Sequence, residues 1–120
     1  MIEKQKLHDA LRHMGAKNVR KPYRDSWSPE NPTSGYCYVV AEVVYHCLAP
    51  KDSKPYCMET EPGETHWYIV TPEGEIIDLT SDQFDYQLDY NKGHKQNFRT
   101  KSISARGKKL ADLLGLEAWQ

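Results

Sequence analysis

Three residues whose side chains can together perform nucleophilic catalysis follow one another along the chain: Cys37, His66 and Asp78. Cys37 stands between a turn-rich segment, 31–36, and an apolar run, 39–48, that predicts a helix. The first N–H groups of a helix are unpaired and carry the positive end of the dipole, which favours a thiolate and can hold an oxyanion. A histidine base and a carboxylate that orients it complete this chemistry. We therefore predict a Cys–His–Asp triad.

His66 and Asp78 must be positioned by the two strands of a predicted hairpin. The segment 71–74, Thr-Pro-Glu-Gly, joins the strands and suits a type I turn followed by a left-handed glycine bulge. In that loop Thr71 faces Glu75, which places His66 and Asp78 on one face of the sheet, diagonal to each other. A plain two- or four-residue loop would place them on opposite faces. We also expect His66 to be partly exposed at the strand end.

The other segments predict an α+β fold. Helical spacing of apolar residues and helix-ending glycines predict three helices, at about 2–14, 36–48 and 104–114. A short edge strand is expected at 56–59, and the residues after Thr80 predict a helical turn. Residues 85–103 have no periodic pattern, and we assign them no element.

Composition excludes several classes of protein. The 120 residues are 38% hydrophobic, enough to bury one core, so we expect a single domain over 1–120. A net charge of −1 lacks the basic surplus that phosphate backbones require, so nucleic acid is not an expected partner. The chain has neither a signal-peptide core nor an apolar run of membrane-spanning length, which predicts a cytoplasmic protein that does not bind membranes. Three cysteines predict free thiols.

The sequence around the three candidate residues resembles known families. The runs Gly35–Ala41, Thr65–Val70 and Gly74–Thr80 resemble the core of papain-like and transglutaminase-like proteins. More narrowly, the chain resembles the YunG-like family of bacterial and phage proteins. The resemblance is carried by Trp27–Pro32, Gly35, Cys37, His66-Trp67 and Asp78–Thr80 with Gln83-Phe84. The resemblance covers roughly residues 25–84. It implies an α+β fold in which the nucleophile helix packs on a small antiparallel sheet that supplies His and Asp.

The resemblance also implies a role for each site residue. Cys37 would be the nucleophile, His66 the general base and later the general acid, and Asp78 the group that orients the histidine. Papain-like enzymes commonly place an amide side chain six residues before the nucleophile as an oxyanion donor, which implies that role for Asn31. The backbone N–H of Cys37 would be the other donor.

Two tryptophans are candidate walls of the site. Trp67 follows His66 directly, and we expect it to shield the His66–Asp78 hydrogen bond from water. Trp27 lies in the loop before the nucleophile and is a candidate wall of a substrate cleft.

These residues predict a cysteine-dependent amide hydrolase that acts on a protein or peptide through a thioester, without a metal or cofactor. Peptidase, isopeptidase, deamidase and acyl transferase activities all remain open. One alternative is a structural zinc site built from Cys47, Cys57 and His66 with His46 or Cys37, although the sequence has no close pair of cysteines. The other is a non-catalytic binding or inhibitory module. Outside the triad, we expect Cys47 to be a small buried hydrophobe and His46 to lie at the surface.

Overall fold

Three helices lie close to where the sequence predicts them. The computed structural model describes residues 2–19 and 21–117, and for residues 21–23 it describes the backbone only. Helix α1 is Lys4–Met14, α2 is Cys37–Val43 and α3 is Ala105–Leu114; a π-helical turn, Val44–Leu48, extends α2. Gly15 and Gly115 follow α1 and α3 with φ of +70°, as expected of glycines that end helices.

Four strands form one antiparallel sheet in the order β3-β2-β1-β4. Strand β1 is Lys54–Glu61, β2 is Glu64–Val70, β3 is Ile76–Ile77 and β4 is His94–Lys95. The α+β class is therefore confirmed. The strand predicted at 56–59 is present within β1, but its expected edge position is wrong, because β4 pairs with β1 on the side away from β2. Strand β4 comes from the segment to which the sequence assigned no element.

The turn between β2 and β3 sets the register of the candidate site. Thr71 N donates to Glu75 O at 2.9 Å, and Gly74 N donates to Thr71 O at 2.9 Å. Gly74 has a φ of +86°, which a residue with a Cβ rarely adopts. The pairing of Ile69 with Ile77 continues this register, which confirms the predicted hairpin. One pair further along the strands, this register places Asp78 opposite Tyr68, which lies two positions after His66.

The helices cover one face of the sheet and loops cover the other. Ile69, Ile77 and Trp67 belong to the core shared with the helices, whereas Tyr68 packs with Met58 and Leu88 beneath the loops. Among the described residues, no helix is long and apolar enough to span a membrane.

A buried carboxylate connects α2 to α3. Glu42 in α2 is fully buried and accepts hydrogen bonds from Ser104 N at 2.9 Å and from Ser104 Oγ at 2.6 Å. Ser104 Oγ in turn accepts from Gly107 N at 3.1 Å, which caps α3. Because a charge without partners would be costly at this depth, these bonds fix the two helices against each other.

Candidate active site

Cys37 is the first residue of α2 and lines a cleft of about 530 Å³. The preceding loop is anchored by Tyr36, whose buried hydroxyl donates to Gly15 O at 2.6 Å. Gly35, with a φ of +78°, turns the chain into the helix. The Cys37 thiol is partly exposed and points toward Thr65 O, at 3.8 Å from Sγ. The thiol therefore lies at the helix N-terminus with direct access to the cleft.

His66 and Asp78 form a buried pair. His66 Nε2 donates to Asp78 Oδ2 at 2.7 Å, and the two side chains are 0% and 4% exposed. The prediction that His66 is partly exposed is wrong. The chain that follows Asp78 folds over this face of the sheet and covers the ring with Phe84.

The second ring nitrogen of His66 is left for the thiol. Nδ1 is buried and makes no hydrogen bond of ordinary geometry to any described residue, since the Cys37 thiol is turned toward Thr65 O. Burial alone would lower the pKa of His66 by disfavouring the imidazolium. The hydrogen bond to Asp78 and the proximity of Cys37 outweigh this effect and raise the pKa of His66 to about 9. His66 is thus an imidazolium at neutral pH, and it lies beside the Cys37 thiol.

Asp78 is held by two further groups. Its Oδ1 accepts from Thr80 N at 3.2 Å, a local turn that the spacing Asp-Leu-Thr could have indicated. Its Oδ2, which already accepts from His66, also accepts from the Tyr90 hydroxyl at 2.7 Å. Burial and this hydrogen bond to Asp78 raise the pKa of Tyr90, which keeps its hydroxyl protonated as a donor. Sequence reasoning missed Tyr90, because nothing in the pattern of 85–103 relates it to Asp78.

The predicted shielding role belongs to residues other than Trp67. The ring of Phe84 meets that of His66 edge-on with centroids 5.0 Å apart, and Tyr68 stacks on it at 6.2 Å. Trp67, on the opposite face of β2, packs edge-on against Tyr38 at 5.0 Å and forms part of the cleft wall. Successive strand residues point to opposite faces, which is why the residue next to His66 cannot cover it.

The two other predicted site residues differ in position. Asn31 lines the cleft together with Cys37, and its side-chain amide makes no hydrogen bond to the described part of the chain. The amide is therefore available to a ligand. Trp27 is not among the cleft residues, so its predicted place in the cleft wall is wrong. Its indole packs against the core and donates to Pro32 O at 2.9 Å, which stabilises the loop before Cys37.

The residues proposed for a zinc site do not come together. The structure gathers no group of three or more metal-ligating His, Cys, Asp or Glu side chains among the residues that it describes. Burial raises the pKa of both Cys47 and Cys57, which disfavours the thiolate that zinc requires.

His46 is buried rather than at the surface. Only 7% of the residue is exposed, because Phe98, from the unassigned segment 85–103, stacks over its ring. Burial lowers the pKa of His46, and the nearby Glu42 only partly opposes this effect.

Comparison with known proteins identifies a family. The model of the family described as YunG protein matches residues 3–114, which include every residue of the site described above. No curated protein and no solved structure matches the chain significantly.

Proposed function

The chain belongs to the YunG protein family, and from the geometry of its site we propose that it is a cysteine-dependent amide hydrolase with a papain-like or transglutaminase-like arrangement of catalytic residues. The observation that carries this proposal is the buried 2.7 Å hydrogen bond between His66 and Asp78, next to a helix-terminal thiol at an open cleft. A merely structural histidine has no need of both a buried carboxylate and an accessible thiol.

The proposed reaction begins with the Cys37 thiolate and the His66 imidazolium. Sulfur attacks the amide carbonyl carbon, and the carbonyl π electrons move to the oxygen, where the backbone N–H of Cys37 and the Asn31 amide donate. Collapse of this intermediate breaks the C–N bond. His66 gives its proton to the leaving amine and becomes neutral, and an acyl thioester remains on Cys37.

The second half-reaction decides the product. Neutral His66 takes a proton from water as the water attacks the thioester, and Cys37 leaves as the thiolate. If an amine attacks instead, the acyl group is transferred. The proposed substrate is a protein or peptide amide. Hydrolysis of a peptide or isopeptide bond, deamidation and acyl transfer share this thioester.

Alkylation in mild acid tests the proposal. At about pH 5.5 an ordinary thiol, with a pKa near ~8.5, is only about one part in a thousand thiolate, whereas an imidazolium partner preserves the thiolate. Iodoacetamide, followed by intact-mass analysis and peptide mapping, should label Cys37 at least about 100-fold faster than Cys47 and Cys57, which are the internal controls. Equal labelling of the three cysteines would contradict the proposal and favour the non-catalytic binding module.

A second measurement tests for the thioester itself. A panel of peptide amides and ubiquitin-type carbonyl electrophiles is incubated with the protein, and adducts are sought by intact mass. The expected adduct lies on Cys37 and is absent from Cys37→Ser. Adducts that form equally on Cys37→Ser would show that they do not arise from the proposed nucleophile.

A further inference from the structure

The charges of this protein are segregated along the chain. Residues 59–89 contain nine Asp and Glu residues and no Lys or Arg, whereas residues 90–111 contain seven Lys and Arg residues and no Asp or Glu. The net charge of −1 conceals this division. Residues of both segments line the cleft of Cys37, among them Glu61, Glu64 and Asp85 of the acidic segment and Arg99 of the basic one.

The basic segment contributes to a second depression, which we call the basic groove. It has a volume of about 580 Å³, and the cations that line it are Lys54, Lys95, Arg99 and Lys101. All four are exposed, and no acidic residue lines the groove. Among the described residues, none of the four lies within ion-pair distance of a carboxylate. Their charge is therefore available to a partner.

The basic groove is continuous with the cleft of Cys37. Arg99 lines both, and its guanidinium lies 5.0 Å from the centre of the Tyr38 ring, in the cleft wall. The backbone is fixed there, because Arg99 N donates to the Tyr38 hydroxyl at 2.7 Å. Phe98, which also lines the groove, stacks on Trp67 of the cleft at 5.6 Å. An extended chain can therefore pass from Cys37 over Arg99 into the groove.

Acidic side chains occur elsewhere in the cleft lining. Glu61 and Glu64 flank the turn between β1 and β2, and Asp85 lies in the loop that follows Phe84. All three are exposed. A bound chain thus meets carboxylates within the cleft and cations in the groove beyond Arg99, with the nucleophile in the cleft.

We propose that the basic groove binds an acidic segment of a peptide substrate whose scissile amide lies at Cys37, an inference that rests on the proposed function. Ammonium and guanidinium groups pair well with carboxylates, and Arg can do so through two parallel hydrogen bonds. A nucleic acid fits less well. Its backbone carries one charge per ~1.7 Å of duplex, so a strand continuing into the cleft would be repelled by Glu61, Glu64 and Asp85.

Binding of a fluorescent octapeptide with Glu residues in one half and Gly residues in the other, followed by anisotropy at low salt, tests this inference. The variant Lys95→Glu/Lys101→Glu should bind at least about tenfold more weakly than the native protein, because rim charges are exchanged for repelling ones. Lys108→Glu/Lys109→Glu is the matched control, since it changes the net charge equally at exposed positions of α3 outside the groove. It should bind within about twofold of the native protein. Unchanged circular dichroism verifies that both variants are folded.

Two results would overturn the inference. One is an equal loss of affinity in both variants, which would show that only net charge matters. The other is tighter binding of a single-stranded oligonucleotide with the same number of charges, which would identify the groove as a nucleic-acid surface. Saturating acidic peptide should also slow alkylation of Cys37 by about threefold or more, because the chain extends past Arg99. Binding that leaves alkylation unchanged would separate the groove from the substrate path and contradict the inference.

Failure of this inference is distinguishable from failure of the proposed function. Selective alkylation of Cys37 in the native protein without peptide reports on the nucleophile alone. If alkylation is selective but the acidic peptide does not bind, the hydrolase proposal stands and the inference fails. If the thiol is unreactive, the proposed function fails, whatever the groove binds.

Discussion

Two buried histidines show what distinguishes a candidate catalytic group from a structural one. His66 and His46 are 0% and 7% exposed, and in each one ring nitrogen makes no hydrogen bond to the described residues. Each has a carboxylate near it, Asp78 for His66 and Glu42 for His46. Yet the pKa of His66 is raised to about 9, whereas that of His46 is lowered.

The difference lies in where each carboxylate directs its oxygens. Asp78 accepts a hydrogen bond from His66, which stabilises the imidazolium directly. Glu42 accepts two hydrogen bonds from Ser104 and none from His46, so its effect on the ring is only long-range. Burial then dominates and keeps His46 neutral. In this protein, the carboxylate that is hydrogen-bonded to a buried histidine helps to raise the pKa of that histidine, whereas the one that is not leaves the effect of burial dominant.

The neighbouring cysteines differ in the same sense. Cys37 is partly exposed at the N-terminus of α2, beside the ring of His66. Cys47 follows His46 in the chain and is buried in the core, and burial raises its pKa. The molecule thus contains one accessible thiol beside a charged histidine, and one buried thiol next in the chain to a neutral histidine.

Replacing each histidine by glutamine should give the largest contrast. His66→Gln removes the imidazolium beside sulfur, so alkylation of Cys37 at about pH 5.5 should slow by two to three orders of magnitude. Glutamine is chosen because alanine would leave a cavity at this fully buried position. Mass spectrometry of the alkylated protein measures the rate.

His46→Gln is the matched control for that experiment. It also replaces a buried histidine, but one that has no part in the proposed reaction. Alkylation of Cys37 should therefore change by less than about twofold. Equal slowing in the two variants would mean that lost stability, and not the charge of His66, explains the effect.

The two histidines should also make opposite contributions to the pH dependence of stability. This effect should be somewhat smaller than the effect on alkylation. The pKa of His66 is about 9 in the folded state against 6.5 normally, so its contribution is complete below pH 6.5 and is lost as the pH rises through about 9. That loss amounts to about 3 kcal/mol. The lowered pKa of His46 acts in the opposite sense: its contribution is present above pH 6.5 and is lost as the pH falls.

Urea unfolding at several pH values measures both effects as differences from the glutamine variants. The stability advantage of the native protein over His66→Gln should shrink between pH 6.5 and 9. Its advantage over His46→Gln should shrink below pH 6.5. Parallel pH curves for the native protein and His66→Gln would refute the assignment of a charged His66.

Local sequence was sufficient to predict the alignment of the His66–Asp78 pair. The turn at 71–74 needs only proline, a left-handed Gly74 and short-range hydrogen bonds, and its geometry fixes the register of both strands. The helix ends at Gly15 and Gly115 were readable for the same reason, since each depends on neighbouring residues alone.

What the sequence could not provide depends on contacts between distant segments. Residues 85–103 contribute Tyr90 to Asp78, Phe98 to His46 and Arg99 to the cleft, and the last two lie far in sequence from the residues that they contact. No periodicity marks this segment, because its backbone is held by other elements, as where Gln96 N donates to Pro55 O. The burial of His46 and the support of Asp78 by Tyr90 were therefore not predictable from local pattern.

The smallest expected effect concerns how Tyr90 shares Asp78 with His66. Tyr90→Phe removes one of the two donors to Asp78 Oδ2, so the carboxylate becomes a stronger acceptor for the imidazolium, and the pKa of His66 should rise further. The loss of a hydrogen bond to a buried charge should also lower the free energy of unfolding by about 1–3 kcal/mol. Because His66 is already protonated in mild acid, alkylation of Cys37 at about pH 5.5 should change by less than about threefold.

Tyr68→Phe is the matched control for Tyr90→Phe, because the Tyr68 hydroxyl donates to Tyr90 O at 3.4 Å and not to Asp78. NMR titration of the His66 ring nitrogens distinguishes the two variants, since only Tyr90→Phe should move the His66 titration upward. A purely structural role for Tyr90 would lower stability in both variants and leave both His66 titrations at the native position. That outcome would mean that only Asp78 and Cys37 raise the pKa of His66, and that Tyr90 contributes to stability alone.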